Sequence, residues 1–325
     1  MTGLPVLDLT RFRSAQRDAF LDDLRRAARD VGFFTVVGHG IAPELTARLD
    51  EEVRRFFALP LEQRLAIENT ASPHFRGYSR VGTERTGGEA DQREQIDVGP
   101  ERSPVTGDGR YWGLVGPNQW PPAQPALREA VLAWQDEALR VSREILRALA
   151  ASLGQPEDHF DRWFDDESHL HLKVVHYPGG ASTGQGVGAH KDYGFLALLH
   201  QDDVGGLQVQ VPGTDEWLDA TPVAGGYVVN IGEMLEVATR GYLTATRHRV
   251  ASPPPGVDRY SVPFFLGPRL DAVVEPVDLP PALAAETADW DPNDDPDNPL
   301  LAAYGENALV GWLRSHPAVA ARYWS

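Results

Sequence analysis

His190-Lys191-Asp192, with His248 far downstream, constrains the fold of this chain more than any other feature. Two imidazoles and one carboxylate can occupy one face of an octahedral iron and leave three adjacent positions open. For His190 and Asp192 to grip one ion, the simplest backbone is a β-strand, where residues i and i+2 point to the same side and Lys191 points away. His248 then has to arrive from a distant strand of the same sheet sandwich. A zinc site uses overlapping ligand types, but open positions are what oxygen activation needs, so iron is the expected metal. Taken alone, the motif is weak, because an isolated His-x-Asp arises often by chance; the competing reading makes His190 and His248 core residues and Asp192 a turn residue.

Hydrophobic periodicity agrees with a sandwich. From Leu170 to Leu270 short β-rich segments recur at Leu172 to Tyr177, Gly188 to Asp192, Leu196 to His200, Leu207 to Val211, Tyr227 to Ile231, His248 to Ala251 and Ser261 to Leu266. About eight short strands broken by Gly, Pro and Asp suit a jelly roll. Ahead of them, helical spacing spans about Ser14 to Val31, Pro43 to Phe57 and Gln124 to Leu153, the last expected to back the sheet. Gly, Pro and charge between about Ala71 and Pro122 predict long loops with short strand-like pieces bordering the site mouth. An acidic, Pro-broken stretch from Asp291 to Pro299 leads into a helical pattern from Leu301 to Trp324. The expected fold class is mainly β with flanking helices (α+β): a double-stranded β-helix (jelly-roll) core, a helical N-terminal region and a C-terminal helix. The expected divisions are 1–122, 123–270 (long backing helix and core) and 271–325.

Composition excludes several classes. A formal charge of -17 over 325 residues opposes binding to nucleic acid or an anionic membrane. With no cysteine there is no disulfide framework, thiolate nucleophile, iron-sulfur cluster or Cys-bound zinc. The N-terminus shows neither a basic n-region nor an apolar h-region, and no apolar stretch approaches membrane-spanning length. A cytoplasmic monomer is expected, acting on a small molecule.

Arg259-Tyr260-Ser261 forms a second site. A guanidinium offers a planar fork for a carboxylate, and a hydroxyl two residues along the same strand can donate to the same group; an ordinary cross-strand salt bridge is the competing role. Around these residues lie Tyr193-Gly194-Phe195, Gly206-Leu207-Gln208-Val209, Asn230-Ile231-Gly232 and, upstream, His176-Tyr177-Pro178. Nearer the N-terminus are Gly32 to Ile41, Arg76-Gly77-Tyr78, Glu94-Gln95-Ile96-Asp97 and Asn118-Gln119-Trp120-Pro121. In this order the chain resembles, over nearly its whole length, the isopenicillin N synthase-like family of non-haem Fe(II), 2-oxoglutarate-dependent oxygenases. Glu233 departs from the Asp that many relatives carry after the Asn-x-Gly, outside the metal triad.

The resemblance implies Fe(II) held by His190, Asp192 and His248, with 2-oxoglutarate and dioxygen as co-substrates. It further implies that Arg259 and Ser261 clamp the C5 carboxylate of 2-oxoglutarate with Tyr177 assisting. Asn230 resembles a residue lining the pocket near the co-substrate, and a β-turn role ahead of Gly232 is equally open. Isopenicillin N synthase itself keeps an Arg-x-Ser yet uses no 2-oxoglutarate, so an oxidative cyclase is the rival reading. A non-catalytic small-molecule-binding protein on the same fold is the rival from another class. Hydroxylation of a C–H bond is the expected outcome, with desaturation or cyclisation as variants, in bacterial specialised metabolism such as antibiotic biosynthesis.

Pocket-lining candidates are Phe75 to Arg85, Arg93 to Gln95 and the segment near Trp312; among them Arg76, Arg80, Arg85 and Arg93 could meet an acidic or amino-acid substrate, though each is more often a solvated charge. The remaining histidines, including His176 and His316, are assigned structural or surface roles. Gly184 to Gly188 lacks the strand-to-helix setting of a dinucleotide loop. The Asp291 to Asp297 spacing lacks the glycine and glutamate of a calcium loop.

Overall fold

Strand alternation lets one sheet serve two cores. In the computed structural model, which describes residues 3–180, 185–287, 290, 301 and 303–325, the strands are β1 (Val6–Asp8), β2 (Phe33–Val37), β3 (Gly77–Ser79), β4 (Arg85–Thr86), β5 (Glu89–Ala90), β6 (Glu94–Val98), β7 (Leu170–Tyr177), β8 (Gln185–His190), β9 (Leu196–Gln201), β10 (Leu207–Gln210), β11 (Trp217–Asp219), β12 (Tyr227–Ile231), β13 (His248–Ala251) and β14 (Arg259–Leu266). The main sheet runs β1-β2-β12-β9-β14-β7-β6-β3 and faces a second sheet ordered β11-β10-β13-β8; β4 and β5 form a separate hairpin. Along β14, Val262, Phe264 and Leu266 turn to the helices, whereas Arg259, Ser261, Pro263 and Phe265 turn to the inside of the sandwich. Phe33, Val187, Leu207, Val228 and Val250 pack between the two sheets as a small apolar core.

The helices are α1 (Arg17–Asp30), α2 (Pro43–Phe57), α3 (Leu61–Leu65), α4 (Pro125–Ser152), α5 (Glu233–Ala238), α6 (Pro281–Ala284), α7 (Tyr304–Ser315) and α8 (Pro317–Tyr323). Pro125 supplies the preset φ of a first helical position, and α4 buries Leu127, Val131, Trp134, Ala138, Val141, Ile145 and Leu149 against the outer face of the main sheet and α1 and α2. Gly32 ends α1 at φ +71, and a Cβ there would sit 2.1 Å from the Thr244 carbonyl oxygen. This is the fold expected from the strand pattern, a jelly-roll core with flanking helices. No helix among the described residues is long and apolar enough to cross a membrane.

The structure refines the sequence reading in two places. Residues of the expected loop region form β3 and β6, and β6 pairs antiparallel with β7 from Glu94↔His176 to Val98↔Leu172. Its inward residues Gln95 and Asp97 are polar yet buried, so the period-2 signal was carried only by Ile96 and Val98. The C-terminal helical pattern is two helices, broken at His316-Pro317 because proline has no N–H to continue the ladder. Tyr304, Ala308 and Trp312 of α7 lie in the main core, so α7 caps the sheet while one side of its last turns borders a cavity. The acidic stretch Asp291 to Pro299 lies outside the described residues, as does Gly184.

Candidate functional site

His190 and His248 are direct cross-strand partners on β8 and β13, with ring centroids 4.3 Å apart. The sequence placed them on distant strands; they are distant in the chain and adjacent in the sheet. Each ring donates its Nδ1–H to the carbonyl two residues before it, His190 to Gly188 at 2.8 Å and His248 to Thr246 at 3.2 Å. That fixes the tautomer and leaves both Nε2 lone pairs facing Asp192, whose Oδ1 is 3.6 Å from His190 Nε2 and whose Oδ2 is 3.8 Å from His248 Nε2. Lost hydration and the neighbouring His248 push the His190 imidazole down to about 4, the neutral form a metal requires.

Asp192 corrects the same-strand expectation, because β8 ends at His190 and Asp192 lies beyond it. Two bonds hold it instead. Glu233 N–H donates to the Asp192 carbonyl at 2.8 Å, and Asn230 Nδ2 donates to Oδ2 at 2.8 Å. Residues 230–233, at the end of β12 and just beyond it, therefore act as a clasp that needs glycine: a Cβ on Gly232 would stand 2.1 Å from the Gly194 carbonyl oxygen. Asn230 also lines the pocket beneath His190, Asp192 and His248.

Beneath the triad a pocket is lined by Tyr177, Leu199, Asn230, Val250, Arg259 and Ser261, among others. Arg259 is only 1% exposed, and among the described residues no carboxylate pairs with it. Its Nε donates to the Gly205 carbonyl, Nη1 to Ser261 Oγ at 3.2 Å and Nη2 to Gln201 Oε1 at 3.1 Å. Tyr177 is its cross-strand partner, with the guanidinium carbon 4.7 Å from the ring centroid, so the ring supports the cation from one side. A buried cation stacked on an aromatic ring and bonded only to neutral groups can receive an anion. Gln201 and Gly205 were not singled out from sequence, since neither carries a distinctive spacing signal.

Comparison with known proteins settles the family. Residues 4–123 match the family model described as non-haem dioxygenase in morphine synthesis N-terminal, and residues 168–268 match the 2OG-Fe(II) oxygenase superfamily. A 2-oxoglutarate-dependent dioxygenase of Dothideomycetidae sp. (strain 11243) is 40% identical over 292 residues, 87% of this chain and 79% of that protein. The chain belongs to the 2OG-Fe(II) oxygenase superfamily. A homoarginine-6-hydroxylase of Arabidopsis thaliana is 36% identical to this oxygenase over 85% of the chain and 88% of its own length. A full-length Neurospora crassa protein solved in complex with alpha-KG (2-oxoglutarate) superposes with a TM-score of 0.76 at 25% identity, covering 95% of each chain. This is accordingly an Fe(II)- and 2-oxoglutarate-dependent oxygenase, with Fe(II) as its metal and 2-oxoglutarate and dioxygen as co-substrates.

Other residues weighed from sequence divide sharply. In the oxygenase Arg76 is buried and donates to the His74 and Leu114 carbonyls, and Arg80 pairs with Glu68 on the surface; neither lines the cavity above the triad, whereas Arg85, Arg93 and Trp312 do. His176 faces away from that cavity, bonded to Glu94 and stacked on Tyr260. His316 was set aside and proves to be part of a buried ion network. There Lys173 pairs with Glu84 at 2.9 Å and Asp97 at 3.0 Å, Arg93 with Glu84 at 2.7 Å, and His316 with both acids. Glu84, Asp97 and His316 have metal-like spacing, but the Lys173 ammonium already fills the cation's role between them.

Burial disfavours a charged His316, yet Glu84 and Asp97 outweigh it and raise its pKa, while the Lys173 and His316 cations hold both acids below the usual carboxylate range. A base with a raised folded pKa contributes stability fully below its unfolded value of about 6.5, and that contribution is lost as pH rises through the folded value. The stability gap between wild type and His316→Gln is therefore expected to be about 3 kcal/mol near pH 6 and to shrink toward pH 9. Urea denaturation at both pH values measures it; an equal gap at both would mean that His316 is not held charged.

Proposed function

We propose that His190, Asp192 and His248 hold the Fe(II), that Arg259 and Ser261 receive the distal carboxylate of 2-oxoglutarate, and that the enzyme hydroxylates a C–H bond of a small molecule. The observation that carries this is Arg259: a buried guanidinium without a carboxylate partner among the described residues, on the wall of the same pocket as the triad. The donor set fits the metal, because two fixed-tautomer Nε2 atoms converge with a carboxylate that keeps acceptor capacity beyond its Asn230 bond. When bound, Fe(II) supplies the oxidising chemistry in which dioxygen and 2-oxoglutarate give succinate and carbon dioxide as one oxygen atom enters the substrate.

The chain's own work is positioning. Asn230 orients Asp192, and the carbonyls of Gly188 and Thr246 orient the imidazoles. Tyr177 supports Arg259, and Ser261 accepts from it while keeping a hydroxyl proton to donate. Leu199, Phe33 and Val250 surround this pocket with apolar surface, which strengthens each charged contact inside it.

A small polar substrate is supported by the relatives: the Arabidopsis protein is named for homoarginine, and the Neurospora protein has also been solved with thymine. We place the enzyme in the cytoplasm and in bacterial specialised metabolism, including antibiotic biosynthesis, whereas the relatives named above are fungal and plant proteins. The test is a turnover assay under labelled dioxygen. The expected result is one succinate per product, with one labelled oxygen atom in the product. Product lacking two hydrogens and unlabelled would replace hydroxylation with desaturation or cyclisation, and substrate oxidation without succinate would overturn the Arg259 assignment.

A further inference from the structure

The cavity above the triad, about 250 Å³, is walled by the β4–β5 hairpin, by His171 and Lys173 of β7 and by the last turns of α7. Its charges are lopsided. Glu84, the acid at its inner wall, is already taken by Lys173, Arg93 and His316. The cations at the mouth are not neutralised. Arg85 is exposed and bonds only to the Gly88 carbonyl, at 2.9 Å, and Arg314 on α7 is exposed; among the described residues neither has an ion pair. Because β4 packs against α7, both guanidinium groups border the same opening.

The unsatisfied polar atoms tell the same story independently. Arg93 Nε and Trp312 Nε1 are buried, belong to residues lining this cavity, and have no hydrogen-bond partner among the described residues. Both are N–H groups that can only donate. The third such atom, His169 Nε2, can take either role. Buried donors left unpaired are costly, so side chains that carry them and wall a cavity favour a ligand with acceptors they can turn to. Between them, Phe265 and His171 stack at 5.4 Å and Trp312 lies 4.5 Å from His171, giving the ligand's carbon frame an aromatic wall.

The geometry points to a small organic acid as the oxidised substrate, with its carboxylate held between Arg85 and Arg314 and acceptor atoms on its body to which the Trp312 and Arg93 side chains can turn. This rests on the reading of the triad given above. An α-amino acid satisfies the requirement; the amine left by removing its carboxylate does not.

The experiment uses the full chain loaded with Fe(II) and 2-oxoglutarate, without oxygen. Small metabolites are supplied in matched carboxylate, primary amide and decarboxylated amine forms, binding is read by calorimetry, and succinate formation is followed once air is admitted. The ligands found are expected to be carboxylates. The double charge reversal Arg85→Glu, Arg314→Glu is expected to weaken the best of them at least about tenfold, leaving the dissociation constant of 2-oxoglutarate at the wild-type value because neither residue lines its pocket. Tighter binding of amides or amines, no carboxylate ligand, or unchanged acid affinity in the double variant overturns the proposal. Failure of the underlying reading shows separately, as wild-type protein that takes up neither Fe(II) nor 2-oxoglutarate before any substrate is added.

Discussion

Asp192→Ala is expected to abolish 2-oxoglutarate turnover and to weaken Fe(II) binding at least about tenfold. An imidazole ligand brings no negative charge, so on the proposed reading Asp192 is the anionic member of the His190, Asp192 and His248 group, and it is held for that task by Asn230 Nδ2 and by the Glu233 N–H on its carbonyl. Because the latter is a backbone bond, alanine keeps it, and the clasp at the end of β12 should survive the substitution. Folding is therefore expected to stay close to wild type while the site loses its anion. Metal content after gel filtration and succinate release measure the two effects. Full turnover with iron retained would remove Asp192 from the site. Asn230→Ala provides the graded comparison: it keeps the ligand but frees its orientation, so iron binding should fall less than in Asp192→Ala.

How legible this site was in the sequence depended on what kind of signal each residue leaves. Strands with apolar β-rich runs, such as Tyr227–Ile231 and His248–Ala251, have the boundaries expected from their pattern, and His248 opens the second of them. Asp192 was identified by its proximity to His190, but the reason offered was a strand geometry that stops at His190. Its true support is a clasp from residues 230 to 233, a contact between segments far apart in sequence that no local period encodes. The buried ion network was hidden for a related reason. Glu84, Asp97, Lys173 and His316 carry no shared spacing signal, and only the pairing of β6 with β7 and the docking of α7 bring them together. Arg76 fits neither role weighed for it, substrate contact or solvated charge: it is buried and spent on two backbone carbonyls.

Arg259→Ala is expected to raise the apparent Michaelis constant for 2-oxoglutarate about a hundredfold, equivalent to about 3 kcal/mol for leaving a buried carboxylate without its partner. The guanidinium presents its fork between Ser261 and Gln201 with Tyr177 along one face, so Arg259→Lys should recover only part of the loss: an ammonium is a point charge that cannot reproduce those planar contacts. A purely structural role for Arg259 would also slow turnover by disturbing the Gly205 carbonyl it holds, so activity alone is not decisive. Ligand-linked stability is. Any ligand that binds only the folded state raises the melting temperature with its concentration, by an increment worth about 2.7 kcal/mol at a hundred times its dissociation constant. Wild-type protein should show that rise with 2-oxoglutarate in the presence of Fe(II), and Arg259→Ala should show almost none at the same concentrations, although both bind the metal. An Arg259→Ala protein whose melting temperature climbs with 2-oxoglutarate as steeply as wild type would place the distal carboxylate elsewhere.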